Sequence, residues 1–63
     1  MHKILRIKDV RAATGLSRST IYKKISEKTF PMQISLGSKS VGWLEVDVQN
    51  WIQEKILQSQ STL

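Results

Sequence analysis

Sixty-three residues with ten Lys/Arg against five Asp/Glu, a formal net charge of +5, leave room for one small basic domain. The lack of cysteine excludes disulfides and a thiolate zinc site, and the single histidine, His2 beside the terminus, supplies no Ser–His–Asp or Cys–His catalytic set. No apolar run approaches the ~18–20 residues of a membrane span and no signal-peptide stretch opens the chain, so a cytoplasmic, non-enzymatic protein with no cofactor or metal is expected.

The first helix is expected from Lys8 to about Thr14, where Ile7, Val10, Ala13 and Thr14 share one face. Gly15 suits the left-handed position that ends it, and Leu16 is the apolar residue that a Schellman-type cap prefers. Ser17 is placed to cap a second helix, Arg18 to about Glu27, by accepting from the amide of Ser19 or Thr20. Within that helix Ile21 and Ile25 lie four apart and face the core, while Arg18, Ser19, Tyr22 and Lys23 fall largely elsewhere. Two helices joined by Gly15-Leu16-Ser17 have the layout of a helix-turn-helix.

Phe30-Pro31 closes the helical stretch, because proline lacks an amide proton and biases its neighbour toward extended backbone. Met32 to Leu36 then alternates, which predicts a strand with Met32, Ile34 and Leu36 turned inward. Gly37-Ser38-Lys39-Ser40 is the turn, and Val41-Gly42-Trp43-Leu44 the returning strand. A hairpin over about residues 32–44 needs the helices to lie against, and its polar, basic tip is that of a wing. The last helix is predicted from about Glu45 to Gln58, with Val48, Trp51, Ile52 and Ile56 as its apolar stripe and Glu45 and Asp47 in its first turn. The fold class is therefore mainly α with a small β-hairpin: a single winged helix-turn-helix domain over residues 1–63.

Charge follows the same division. Residues 1–42 hold nine of the ten cations against Asp9 and Glu27, a net +7, whereas residues 43–63 hold Lys55 against Glu45, Asp47 and Glu54, a net −2. A basic front and a mildly acidic back is the footprint of one face meeting a polyanion.

The ordered set Gly15-Leu16-Ser17-Arg18-Ser19-Thr20-Ile21-Tyr22, Phe30-Pro31, Gly37-Ser38-Lys39-Ser40-Val41-Gly42-Trp43 and Trp51-Ile52 resembles the AlpA family of prophage regulators. The likeness covers about Ile4 to Ile56, and the whole set is more specific than its first segment, which many helix-turn-helix proteins share. That family is similar to the excisionases and to the DNA-binding domain of MerR-type regulators. The resemblance implies a winged-helix fold and a DNA-binding transcriptional regulator of a prophage or mobile element. Many relatives carry arginine between the equivalents of Val41 and Trp43; Gly42 stands there in this chain, leaving Lys39 as the charge at the wing tip.

In such a fold the second helix enters the major groove and its first residues meet base edges or phosphates. Arg18 suits a bidentate guanine contact or a phosphate clamp. Ser19 and Thr20 suit a phosphate at the helix N-terminus, although Thr20 can equally close the cap. Tyr22 either stacks on a sugar or bonds a phosphate, or packs half-buried against the core. Lys23 lies nearer the Ser19–Tyr22 face than Lys24, and Lys28 reads as a solvated charge. From the wing, Lys39 with Ser38 and Ser40 reaches phosphates or the minor groove. Arg11, together with Arg6 and Lys8, flanks the first helix and positions the domain on the backbone without specifying sequence. Trp43, Trp51, Ile52, Ile21 and Ile25 are assigned to the core.

The expected partner is double-stranded DNA, contacted by two or more copies on repeated or palindromic sites, since so small a module reads few base pairs. An integrase or RNA polymerase is the expected kind of protein partner, with Leu57 and Leu63 as a spare apolar edge for such contacts. Two readings compete: an excisionase-type recombination directionality factor, and a basic adaptor that docks on an acidic protein. RNA fits less well, because aromatic residues are few and no basic–aromatic strand motif is present.

Overall fold

Six short elements follow one another along residues 2–60, the part of the chain that the computed structural model describes. They are β1 (Ile4–Leu5), α1 (Ile7–Thr14), α2 (Arg18–Ser26), β2 (Ile34–Ser35), β3 (Val41–Leu44) and α3 (Glu45–Gln60). The three strands form one antiparallel sheet in the order β1-β3-β2. Three helices and this small sheet make a winged-helix fold, mainly α with a hairpin, as expected.

β1 was not legible in the sequence, because a two-residue strand has no periodicity. It pairs Ile4 with Leu44 and Leu5 with Trp43, so β3 becomes the central strand rather than half of a free hairpin. Where β1 stops, the Arg6 guanidinium takes over the ladder and donates to the Val41 carbonyl at 3.2 Å. The Arg6 backbone N–H donates to Asp9 Oδ2 at 3.1 Å and so fixes the start of α1.

The hairpin register corrects the expected inward face. Ile34 pairs with Gly42 and Ser35 with Val41, so Ile34 and Leu36 share the face of Gly42 and not that of Trp43. Trp43 is wholly buried and claims the core side. Ile34 and Leu36 are consequently exposed, and Met32, which precedes the strand, is 70% exposed. Gly42 itself is buried: a Cβ built there meets Ile4 Cγ2 at 2.5 Å, Leu36 Cδ1 at 3.0 Å and the Leu5 carbonyl oxygen at 3.0 Å. The side chains of β1 and the wing close over the glycine from either side, so a larger residue here requires Ile4 and Leu36 to shift.

Local capping sets the helix ends. Gly15 (φ 74°) donates its N–H to the Arg11 carbonyl at 2.8 Å, whereas the Leu16 N–H goes to Thr14 Oγ1 at 3.2 Å. This is the single-bond left-handed cap, not the expected Schellman motif, because the threonine hydroxyl captures the second amide. The Schellman motif occurs instead at the end of α2. Thr29 N–H reaches the Lys24 carbonyl at 2.8 Å and Lys28 N–H the Ile25 carbonyl at 3.0 Å, with Lys28 left-handed at φ 62°.

The core holds Leu5, Val10, Ile21, Phe30, Trp43 and Val48, each fully buried side chain stabilising the fold by roughly 1.5–3 kcal/mol. Ile25, Trp51 and Ile52 pack at its rim with Ile7, Leu16, Tyr22 and Val41. Leu5 and Phe30 were not anticipated. Ala13 turns to solvent, and α3 outruns the core: every residue from Gln53 to Gln60 is exposed, Ile56 and Leu57 included. Ile56 therefore leaves the predicted core stripe, and Leu63 lies outside the described residues.

Candidate nucleic-acid interface

The turn into α2 is built by a hydroxyl. Ser17 Oγ accepts from the Thr20 amide at 3.2 Å and donates to Thr20 Oγ1 at 2.8 Å. Of the two amides that the sequence offered to this cap, Thr20 takes it, and the half-buried Thr20 hydroxyl is engaged within the protein. Ser19 is exposed, its hydroxyl 3.4 Å from that of Ser17.

Arg18, one position into α2, lays its guanidinium carbon 5.8 Å from the centre of the Tyr22 ring. Tyr22 is half-buried and meets Trp43 edge to face, with ring centres 6.2 Å apart. The ring is thus packed, and it ties α2 to the strand that carries the wing. Lys23 points outward while Lys24 is half-buried, the order expected from their places on the helix.

At the wing, the Leu36 N–H donates to the Ser40 carbonyl at 2.7 Å and closes the loop over Gly37, Ser38 and Lys39. Ser38 and Lys39 are exposed and Ser40 is half-buried. On the other flank, Lys8 and Arg11 of the first helix line a shallow groove together with Gly15, Leu16 and Ser17 of the turn. Arg6, placed with them by the sequence, spends one guanidinium N–H on Val41. Long-range ties of this kind leave no local signature.

Among the described residues, Lys3–Glu45 at 3.6 Å is the one ion pair. Arg11, Arg18, Lys23 and Lys39 accordingly have no carboxylate partner among those residues. Among the same residues no group of three or more His, Asp or Glu side chains is placed to hold a metal, and no helix is long and apolar enough to cross a membrane.

A capped helix pair, an antiparallel wing and a closing helix define a winged helix-turn-helix protein. The family model of the prophage CP4-57 regulatory protein (AlpA) matches residues 3–56, and the chain belongs to that family. It is 46% identical over 54 residues to the ORF88 protein of Enterobacteria phage P4, covering 86% of this chain and 61% of that one. It is 39% identical over 59 residues to the DNA-binding transcriptional activator AlpA of Escherichia coli K12, covering 84% of each. The chain spans about three fifths of the length of the phage P4 relative.

Proposed function

We propose that this chain is a sequence-specific double-stranded DNA-binding regulator of a prophage or mobile element. The observation that carries the reading is the set of cations on α1, α2 and the wing that lack a carboxylate partner among the described residues. In this reading α2 lies in the major groove, where Arg18 contacts guanine or phosphate and Ser19 and Lys23 flank it. Thr20 mainly holds the cap. Lys39, with Ser38 and Ser40, follows the phosphates or the minor groove, and Arg11 and Lys8 fix the domain on the backbone. The reading contains no catalytic step. Two or more copies occupy repeated sites, because one α2 spans few base pairs.

The test is selection of duplexes from a random-sequence pool, followed by mobility shifts with the selected duplex against random competitor. Recovery of a common sequence that resists competition supports the reading. Equal binding to all duplexes, or none, overturns it and leaves the basic-adaptor reading. A promoter reporter and an excision assay on the same element then separate transcriptional control from an excisionase role.

A further inference from the structure

We infer that Tyr22 is a positioning residue for Arg18, holding its guanidinium at the entrance of α2 before nucleic acid arrives. The inference rests on the DNA-binding reading above.

Three contacts run in series from the rigid interior to the surface. The wholly buried Trp43 donates its indole N–H to the Pro31 carbonyl at 3.1 Å, which fixes that ring. Tyr22 stands edge-on to Trp43 at 6.2 Å with an interplanar angle of 61°, and Arg18 lies over Tyr22 at 5.8 Å. The Arg18 side chain is exposed and makes no hydrogen bond to protein among the described residues; its contact there is with the Tyr22 ring. A cation over an aromatic face is held by the ring quadrupole and need spend no N–H donor on the protein. All five donors of the guanidinium stay available for a base edge or a phosphate.

A long side chain ordered before binding does not lose its rotamer freedom during binding. Tyr22 therefore acts through Arg18, and its ring, not its hydroxyl, is the working part. The competing role is a direct bond from the Tyr22 hydroxyl to a phosphate.

The experiment uses the full chain and a duplex selected by the wild-type protein, with Tyr22→Phe, Tyr22→Leu, Arg18→Ala and the Tyr22→Leu/Arg18→Ala double variant. Tyr22→Phe is expected to bind within about twofold of wild type. Tyr22→Leu weakens binding about 3–10-fold, the size set by immobilising one long side chain. In the Arg18→Ala background the leucine costs nothing further. In the free proteins, the Arg18 side-chain protons carry an aromatic ring-current shift in wild type and Tyr22→Phe and lose it in Tyr22→Leu. Thermal melts identify any variant that fails to fold, and the Phe variant with its ring-current readout then decides. A Phe variant as damaged as the Leu variant, an additive double variant, or an unshifted Arg18 in wild type overturns the inference alone. Failure to select any duplex overturns it together with the DNA-binding reading.

Discussion

The indole N–H of Trp51 donates to the carbonyl of Thr29 at 2.7 Å. Its ring stands edge-on to Phe30, 4.9 Å between centres. Trp43 takes the Pro31 carbonyl, so two indoles from different elements hold the carbonyls on either side of one buried phenylalanine. The segment from α2 to the wing is thereby clamped between β3 and α3. Both tryptophans are committed to this clamp, Trp43 wholly buried and Trp51 half-buried at the rim of the core.

Trp51→Phe keeps an aromatic ring against Phe30 and removes the N–H. The expected loss is about 0.5–1.5 kcal/mol, the net worth of a hydrogen bond whose exposed acceptor can turn to water. In a domain of this size that lowers the melting temperature by roughly 4–8 °C for each kcal/mol. Circular-dichroism melts check it, and an unchanged midpoint assigns the bond no weight.

Gly42→Ala places a methyl group where Ile4, Leu36 and the Leu5 carbonyl already stand. Overpacking of this kind costs about 1–3 kcal/mol. Ile4→Ala in the same chain should recover part of the loss, although Ile4→Ala alone destabilises. A urea-denaturation cycle measures the coupling, and strict additivity of the two changes contradicts the crowding.

Lys28 holds the left-handed position of the α2 cap with a side chain attached. Lys28→Gly removes the Cβ penalty of ~1–2 kcal/mol and regains some unfolded-state entropy. The net expectation is stabilisation by about 0.5–1 kcal/mol, read from denaturant midpoints. A destabilised glycine variant shows that the lysine side chain contributes contacts of its own.

Binding of a selected duplex should weaken with salt along a log–log slope of about −0.9 for each phosphate neutralised. Lys39→Ala should make that slope shallower by about one and weaken selected and random duplexes alike, since a wing lysine on a phosphate reads no base. Arg18→Ala should penalise the selected duplex more than the random one. Equal losses for both reduce Arg18 to a phosphate contact.

The helix-turn-helix was legible because its signals are local. Gly15 and Ser17 act on amides and carbonyls within four residues, and the Ile21–Ile25 spacing lies within one turn. The candidate site was legible as a set of residue types: cations and hydroxyls on α2 and in a turn. Its internal assignments were less so. Whether Thr20 closes a cap or waits for a phosphate, and whether Tyr22 packs or projects, depends on partners that the chain alone does not place. Thr20 is taken by Ser17, and Tyr22 by Trp43, twenty-one positions away.

The wing shows the same limit. Alternation from Met32 to Leu36 established that one set of side chains would share a face, but not which face. That choice was made by Trp43, whose burial turned Gly42 outward and carried its cross-strand partner Ile34 with it. β1 exists only through Leu44 and Trp43, forty and thirty-eight residues downstream. Short-range capping and helical periodicity are written into neighbouring residues, so the order of helices and wing and the Gly15 and Ser17 caps of the helix-turn-helix could be read directly from the chain. Strand parity, the glycine enclosed under Ile4 and Leu36, and the stack from Trp43 to Arg18 arise only when distant segments compete for the same small interior. Tertiary packing alone settles that competition.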